Sequence, residues 1–278
     1  MDRAPYRTSA ARARSVAPAT VERREYKYLI DEETAHRLRD AVAPFCRPDA
    51  YAKRQNSGAY TISSVYYDTP ALDLYHANVR ELVDRFKLRV RTYPGHPKGP
   101  AFLEVKRRVS DVINKTRGAL PKTVLGSLLE LSAKDLPRLA GDGHAAAVER
   151  FLSLVHTYQA RPRLVVRYER EAWVSLVDSY ARVTFDRDVR CQPAQDLVSA
   201  PKPRQWRNND DALSQQHGLR GSKVILELKF TSAAPSWMMH IVQSFDLFRA
   251  AFSKYGTSVA TWFSEPQLSP RLLPRTMR

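Results

Sequence analysis

Lys87-Leu88-Arg89-Val90-Arg91 is the stretch that decides the fold. Residues i, i+2 and i+4 of a β-strand share one face, so Lys87, Arg89 and Arg91 point one way and Leu88 and Val90 the other. An apolar core cannot take the cationic side, because unpaired buried charge costs too much. The same design recurs in Glu104-Val105-Lys106-Arg107-Arg108 and in Val224-Ile225-Leu226-Glu227-Leu228-Lys229. Strands of this kind, closing into a barrel, would line a cationic bore. The competing reading of any one of them is a solvated outer face that protects a sheet edge. Matching cationic faces on hairpin partners argue against it, since they repel across the strands unless an anion sits between them.

Composition supports an acidic partner. The 278 residues carry 45 Lys+Arg against 29 Asp+Glu, a net charge of +16 with pI near 10.0. Residues 1–20 contribute +3 and 264–278 contribute +2, leaving about +11 in the body. That excess suits nucleic acid, an anionic membrane or a phosphate-rich small molecule. Residues 1–20 read as a disordered basic tail, 21–264 as one domain and 265–278 as a C-terminal tail. Cys46 and Cys191 are too few for a disulfide framework and read as reduced thiols of a cytoplasmic protein. No stretch has the roughly 20 apolar residues of a membrane span.

Strands are predicted at Arg23–Ile30, Tyr60–Tyr67, Phe86–Tyr93, Ala101–Arg108, Leu164–Val174, Arg182–Val189 and Val224–Phe230. Helices are predicted after an Asp31 N-cap, at Leu72–Tyr75, 122–131 and 143–157. A last helix, capped by Ser236, is expected to bury Trp237, Ile241, Phe245 and Phe248 and to end at Lys254. Residues 192–221 read as a long polar loop. Hairpins spread along the chain with helices between them favour an α+β fold: one antiparallel sheet or barrel with flanking helices.

Three Glu-x-Lys pairs lie on predicted strands: Glu25/Lys27, Glu104/Lys106 and Glu227/Lys229. Each is either a mixed-charge surface or a carboxylate for a divalent metal beside a cation for phosphate. Arg forks hold phosphate oxygens in pairs, and Lys adds point charge. Arg170 is either such a fork or a salt-bridge partner of Glu169 or Glu171. Arg182 opens a strand with Thr184 and Asp186 on its face. Lys115 and Arg117 read locally as loop cations, and Lys254 as a cation suited to a helix C-terminus. No GxxxxGK[ST] loop, zinc-type cysteine pair or metal-type histidine spacing is present. No nucleic-acid signature emerges beyond Tyr66, Tyr67 and Tyr93.

The order of these motifs resembles the VTC domain, the polyphosphate polymerase branch of the triphosphate tunnel metalloenzyme (CYTH-like) superfamily. It is carried by Arg23-x-Glu25-x-Lys27-Tyr28, Ser64-Val65-Tyr66-Tyr67-Asp68, Lys87-Leu88-Arg89-Val90-Arg91, Leu103-Glu104-Val105-Lys106, Tyr168-x-Arg170, Glu227-Leu228-Lys229 and Ser253-Lys254-Tyr255. The resemblance implies a closed eight-stranded antiparallel tunnel that binds a nucleoside triphosphate with Mn²⁺ or Mg²⁺. It implies transfer of the γ-phosphoryl group of ATP to a polyphosphate chain, with ATP, pyrophosphate and polyphosphate as partners, no nucleic acid, and a possible membrane-protein partner. Phosphates would be held by Lys27, Lys87, Arg89, Arg91, Lys106, Lys115, Arg170, Arg182, Lys229 and Lys254. Lys27, Arg89, Arg91, Lys106 and Glu227 would carry turnover, with Glu227 the principal metal ligand and Glu104 a second. Hydrolytic tunnel enzymes begin Glu-x-Glu-x-Lys, and Arg23 in the first position fits the polymerase branch better. Triphosphate hydrolysis and polyphosphate binding without turnover are the alternatives.

Overall fold

The computed structural model describes residues 23–263, apart from 111, 179, 198–200, 211, 214–216, 219, 220, 222 and 232. Both predicted tails lie outside the described residues. The sheet follows the order β1 (Arg23–Ile30), β10 (Val224–Thr231), β8 (Ala181–Pro193), β7 (Arg161–Ser175), β3 (Ala59–Asp68), β4 (Asp84–Thr92), β5 (Ala101–Val109) and β6 (Val112–Leu120). Every pairing is antiparallel, and the short strands β2 (Cys46–Pro48) and β9 (Arg207–Asn208) join β7 and β8.

Alternation decides which face each side chain takes. On β4 and β5, Phe86, Leu88, Val90, Leu103 and Val105 pack outward against helix α4 (Asp142–Thr157). On β1, β10 and β8, Tyr28, Leu226, Leu228, Val183 and Phe185 pack outward against α1 (Glu32–Val42) and α5 (Ser236–Ser244). The opposite face is the inner one, and it is divided. One part is charged; the other holds Leu29, Ile62, Tyr66, Val166, Cys191 and Ile225, covered by Tyr255 and Val259 of helix α6 (Lys254–Phe263). The remaining helices are α2 (Asp73–Val79) and α3 (Leu136–Ala140). Asp68 ties α2 and α6 to the end of β3: it accepts from the backbone N–H of Leu74 and Tyr75 and from the Tyr255 hydroxyl at 2.7 Å.

Several expectations change. The main path has eight strands, but among the described residues the edge strands β1 and β6 share no hydrogen bonds. The sheet is curled and is not a barrel sealed by backbone pairing. Side-chain charges span the hollow instead: Glu25 of β1 feels Lys106 of β5, and Lys27 feels Lys87 of β4. Lys115 and Arg117, read as loop cations, lie on β6, because its pairing with β5 outweighs the weak strand signal of Asn114 and Gly118. Gly118 is required there: a Cβ would lie 2.5 Å from Val148 Cγ2 and 2.9 Å from Val148 N on α4. Asp31 does cap α1, accepting from Thr34 N at 2.6 Å. Helix α5 stops at Ser244, so Trp237 and Ile241 are buried while Phe248 is 73% exposed. The segment between β8 and β10 is partly anchored, since Asn209 and Asp210 are buried against β8.

Candidate functional site

The register brings almost every singled-out residue to one inner surface. Arg91, Arg89 and Lys87 on β4 face Phe102, Glu104 and Lys106 on β5, which face Ala119, Arg117 and Lys115 on β6. From the other end of the sheet, Glu25 and Lys27 on β1 face Lys229 and Glu227 on β10, which face Arg182 and Thr184 on β8. Arg170 on β7 stands opposite Asp186. Two charge clusters result.

The first surrounds Glu104, which is 1% exposed. Arg89 reaches its Oε2 at 2.6 and 2.7 Å, Lys115 its Oε1 at 2.9 Å, Arg117 its Oε1 at 3.4 Å and Arg91 its Oε2 at 3.8 Å. Burial pushes the Glu104 carboxyl up, but Arg89, Arg91 and Lys115 outweigh it and hold the acid well below the carboxylate range. Arg89 also donates to the Tyr66 hydroxyl at 3.0 Å. Arg91 Nε and its register partner Ser64 Oγ are buried without hydrogen-bond partners. Lys87 and Lys106 have no carboxylate within ion-pair distance among the described residues. Burial and then Lys106 and Lys27 push the Lys87 ammonium down to about 7. Burial, helped by Arg89 and Arg91 against Glu104, brings Lys115 to about 7.

The second cluster joins Glu227 and Asp186. Arg170 forks onto Asp186 at 2.6 and 2.7 Å and reaches Glu227 Oε2 at 3.0 Å. Lys254 bridges Asp186 Oδ2 at 2.6 Å and Glu227 Oε1 at 2.8 Å, and Lys229 contacts Glu227 Oε2. Lys254 begins α6 instead of ending a helix. The macrodipole disfavours a cation there, so the two carboxylates account for its position. Burial lowers its pKa and Asp186 and Glu227 reverse that, raising it well above the lysine range. Glu25 lies 3.2 Å from Lys27. Burial and Glu227 push the Glu25 carboxyl up, while Lys106, Lys27 and Lys229 prevail and keep it ionised far into acid.

The sequence-predicted residues thus converge. Arg182 is the peripheral one: it is exposed, near the Tyr180 ring at 5.9 Å. Arg117, Asp186 and Tyr66 belong to the site although they were not among the residues expected to hold phosphate or metal. Their signal was the alternation with Lys115, with Arg182 and within Ser64-Val65-Tyr66. Among the described residues no group of three or more His, Cys, Asp or Glu forms a protein-only metal cage. Glu227 beside Glu25 fits the other arrangement, in which one or two carboxylates share a small divalent ion with substrate phosphates.

Fold and site define a class: an α+β protein whose curled antiparallel sheet holds a hollow in which cations outnumber acids. The chain belongs to the VTC domain family, whose model matches residues 22–263. Over 247 residues it is 27% identical to vacuolar transporter chaperone complex subunit 4 of Trypanosoma brucei brucei. That match covers 77% of this chain and 30% of the relative, so the chain spans less than a third of the relative's length. It is also similar to the solved structure of bh2851 from Bacillus halodurans (14% identity, TM-score 0.47, 88% of this chain and 98% of the other). A second solved structure is PH1819 from Pyrococcus horikoshii (12% identity, TM-score 0.40, 82% and 92%). No described helix is long and apolar enough to cross a membrane.

Proposed function

We propose that this chain is a polyphosphate polymerase that transfers the γ-phosphoryl group of ATP to a growing polyphosphate chain. The observation that carries the reading is the cation excess of the inner surface: among the described residues Lys87 and Lys106 have no carboxylate within ion-pair distance, and Arg91 Nε has no acceptor. A row of phosphates satisfies all three at once, and membership of the VTC family agrees with it.

Phosphoryl transfer asks little covalent chemistry of the protein; positioning and charge stabilisation supply most of the rate. Arg89, Arg91 and Lys106 would hold the donor phosphates, with Lys87 and Lys115 adding charge. Lys27, Arg170, Lys229 and Lys254 would hold the other phosphates in line, and Arg182 would meet them at the margin. A terminal oxygen of the acceptor attacks the γ-phosphorus. The bond to the β–γ bridging oxygen breaks, and ADP leaves with that electron pair. The attacking oxygen is already anionic, so no side-chain base is needed. Mn²⁺ or Mg²⁺, held by Glu227 with Glu25, would supply charge neutralisation on the phosphate oxygens. Glu104 was expected to be a second metal ligand; with four cations around it and no carboxylate beside it among the described residues, it is better suited to holding Arg89, Lys115 and Arg117 in position. Incubation with ATP and Mn²⁺ followed by sizing of the product tests the proposal. Long polyphosphate supports it, and phosphate release without polymer rejects it in favour of a triphosphatase. Placement in the cytoplasm and a membrane-protein partner that takes up the polymer form part of the same proposal.

A further inference from the structure

A cavity lies outside the charged clusters. It encloses about 470 Å³ between the β4–β5 hairpin and the turn at Tyr51–Arg54, and Tyr51, Arg54, Tyr93, His96, Lys98 and Phe102 line it. Its walls are rings: Tyr51 stacks on Tyr93 (centroids 5.7 Å, planes within 8°), and His96 meets Tyr51 edge-on at 5.4 Å. Phe102 meets Tyr93 edge-on at 6.0 Å. The hairpin is fixed, because Lys122 Nζ donates to the backbone oxygens of His96 at 2.8 Å and Tyr93 at 3.3 Å. One feature marks the cleft as unfilled by the protein itself: Tyr51 is 43% exposed although it belongs to an aromatic cluster.

The cleft adjoins the charged surface. Phe102 lines it and is the register partner of Arg91. The Arg117 guanidinium lies 3.6 Å above the Phe102 ring centroid while its Nε is 3.4 Å from Glu104. One pleat repeat, about 7 Å, separates Phe102 from Glu104, and a second leads to Lys106. The aromatic cleft therefore lies beside the row of cations on β4, β5 and β6.

We infer that this cleft is the nucleobase site of the donor: the base stacks against Tyr51 at the Tyr93 and Phe102 wall, and the phosphates run past Phe102 toward Arg91 and Lys106. The inference rests on the donor being a nucleoside triphosphate, as proposed above. Inorganic phosphate chains have no flat apolar part, and a passage for them alone would gain nothing from these rings. Aromatic stacking of a base has a measurable free energy of its own.

Calorimetric titration of the full chain with ATP and with inorganic triphosphate, in Mn²⁺ buffer, tests it. Tyr51→Ala is expected to weaken ATP binding roughly tenfold, the scale of one lost stacking contact, and to leave triphosphate affinity within twofold. Tyr51→Phe keeps the ring and should bind ATP as the parent does. Equal weakening of both ligands by Tyr51→Ala overturns the base site and makes the cleft part of the phosphate path. Unchanged ATP affinity overturns it as well. A parent chain that binds triphosphate and not ATP removes the nucleotide-donor reading itself.

Discussion

Glu104 and Glu227 stand near opposite ends of the strand order and face the same hollow, yet their surroundings differ. Glu104 is a lone acid among four cations. Glu227 shares Arg170 and Lys254 with a second buried acid, Asp186, and has Glu25 beside it. The first cluster is short of negative charge, which an arriving phosphate would supply. The second is close to balance and rich in carboxylates, which suits a divalent cation arriving with the phosphates. The lesson is that equal Glu-x-Lys spacing on two strands does not give equal chemistry; the neighbours across the sheet decide it.

The largest effect expected is on turnover. Lys106→Ala should lower polymer formation by about 10²–10³-fold, as for loss of a group that stabilises transition-state charge. Lys106 has no carboxylate within ion-pair distance among the described residues and loses only the longer-range attraction of Glu25, so thermal melting should change little. Steady-state ADP release and a melting curve measure the two, and a lowered melting point with unaltered activity per folded molecule would sink the assignment.

Replacing either acid strands buried cations. Glu104→Gln and Glu227→Gln should each cost about 3–5 kcal/mol of stability without ligand. They should then diverge. Inorganic triphosphate should restore much of the melting temperature of Glu104→Gln, because phosphate oxygens can replace the lost carboxylate. Glu227→Gln should recover less and should lose its response to Mn²⁺. Equal rescue of both variants would erase the distinction drawn between the clusters.

Gly118→Ala should cost about 1–3 kcal/mol, because overpacking against the α4 backbone forces β6 away. A denaturant titration reads that cost. Displacement of Lys115 and Arg117 should also weaken triphosphate binding; full affinity in the variant would show that β6 does not position the Glu104 cluster.

The smallest effect is on pH dependence. Lys87, at about 7, lies below the ordinary lysine value. Between pH 7 and the unfolded value near 10.5 the unfolded chain holds more protons, so this residue adds stability as pH rises through that window. Anion binding has the opposite sign, because a bound phosphate favours the ammonium form. Triphosphate affinity should therefore fall above pH 7, by at most one tenfold factor per unit for this group. Comparing the parent with Lys87→Met isolates it from titration of the ligand, and identical slopes would remove Lys87 from the site.

The alternating charges of β4, β5 and β10 were legible because a two-residue period assigns each residue to a face without knowledge of its neighbours. The motif order likewise pointed to the VTC family before any contact was known. The strand character of Lys115 and Arg117 was not legible, since Asn114 and Gly118 weaken it locally and pairing with β5 supplies the stabilisation. Lys254 was misplaced for a related reason: the break after Ser244 carries no Gly or Pro to mark it, and the carboxylates that hold this lysine at a helix start lie on β8 and β10. Local sequence thus fixed which side chains share a strand face, because backbone geometry alone dictates that. Only the curled sheet decided which faces meet, which acids are shared, and that an aromatic chamber adjoins the cations, because those depend on contacts between residues far apart in the chain.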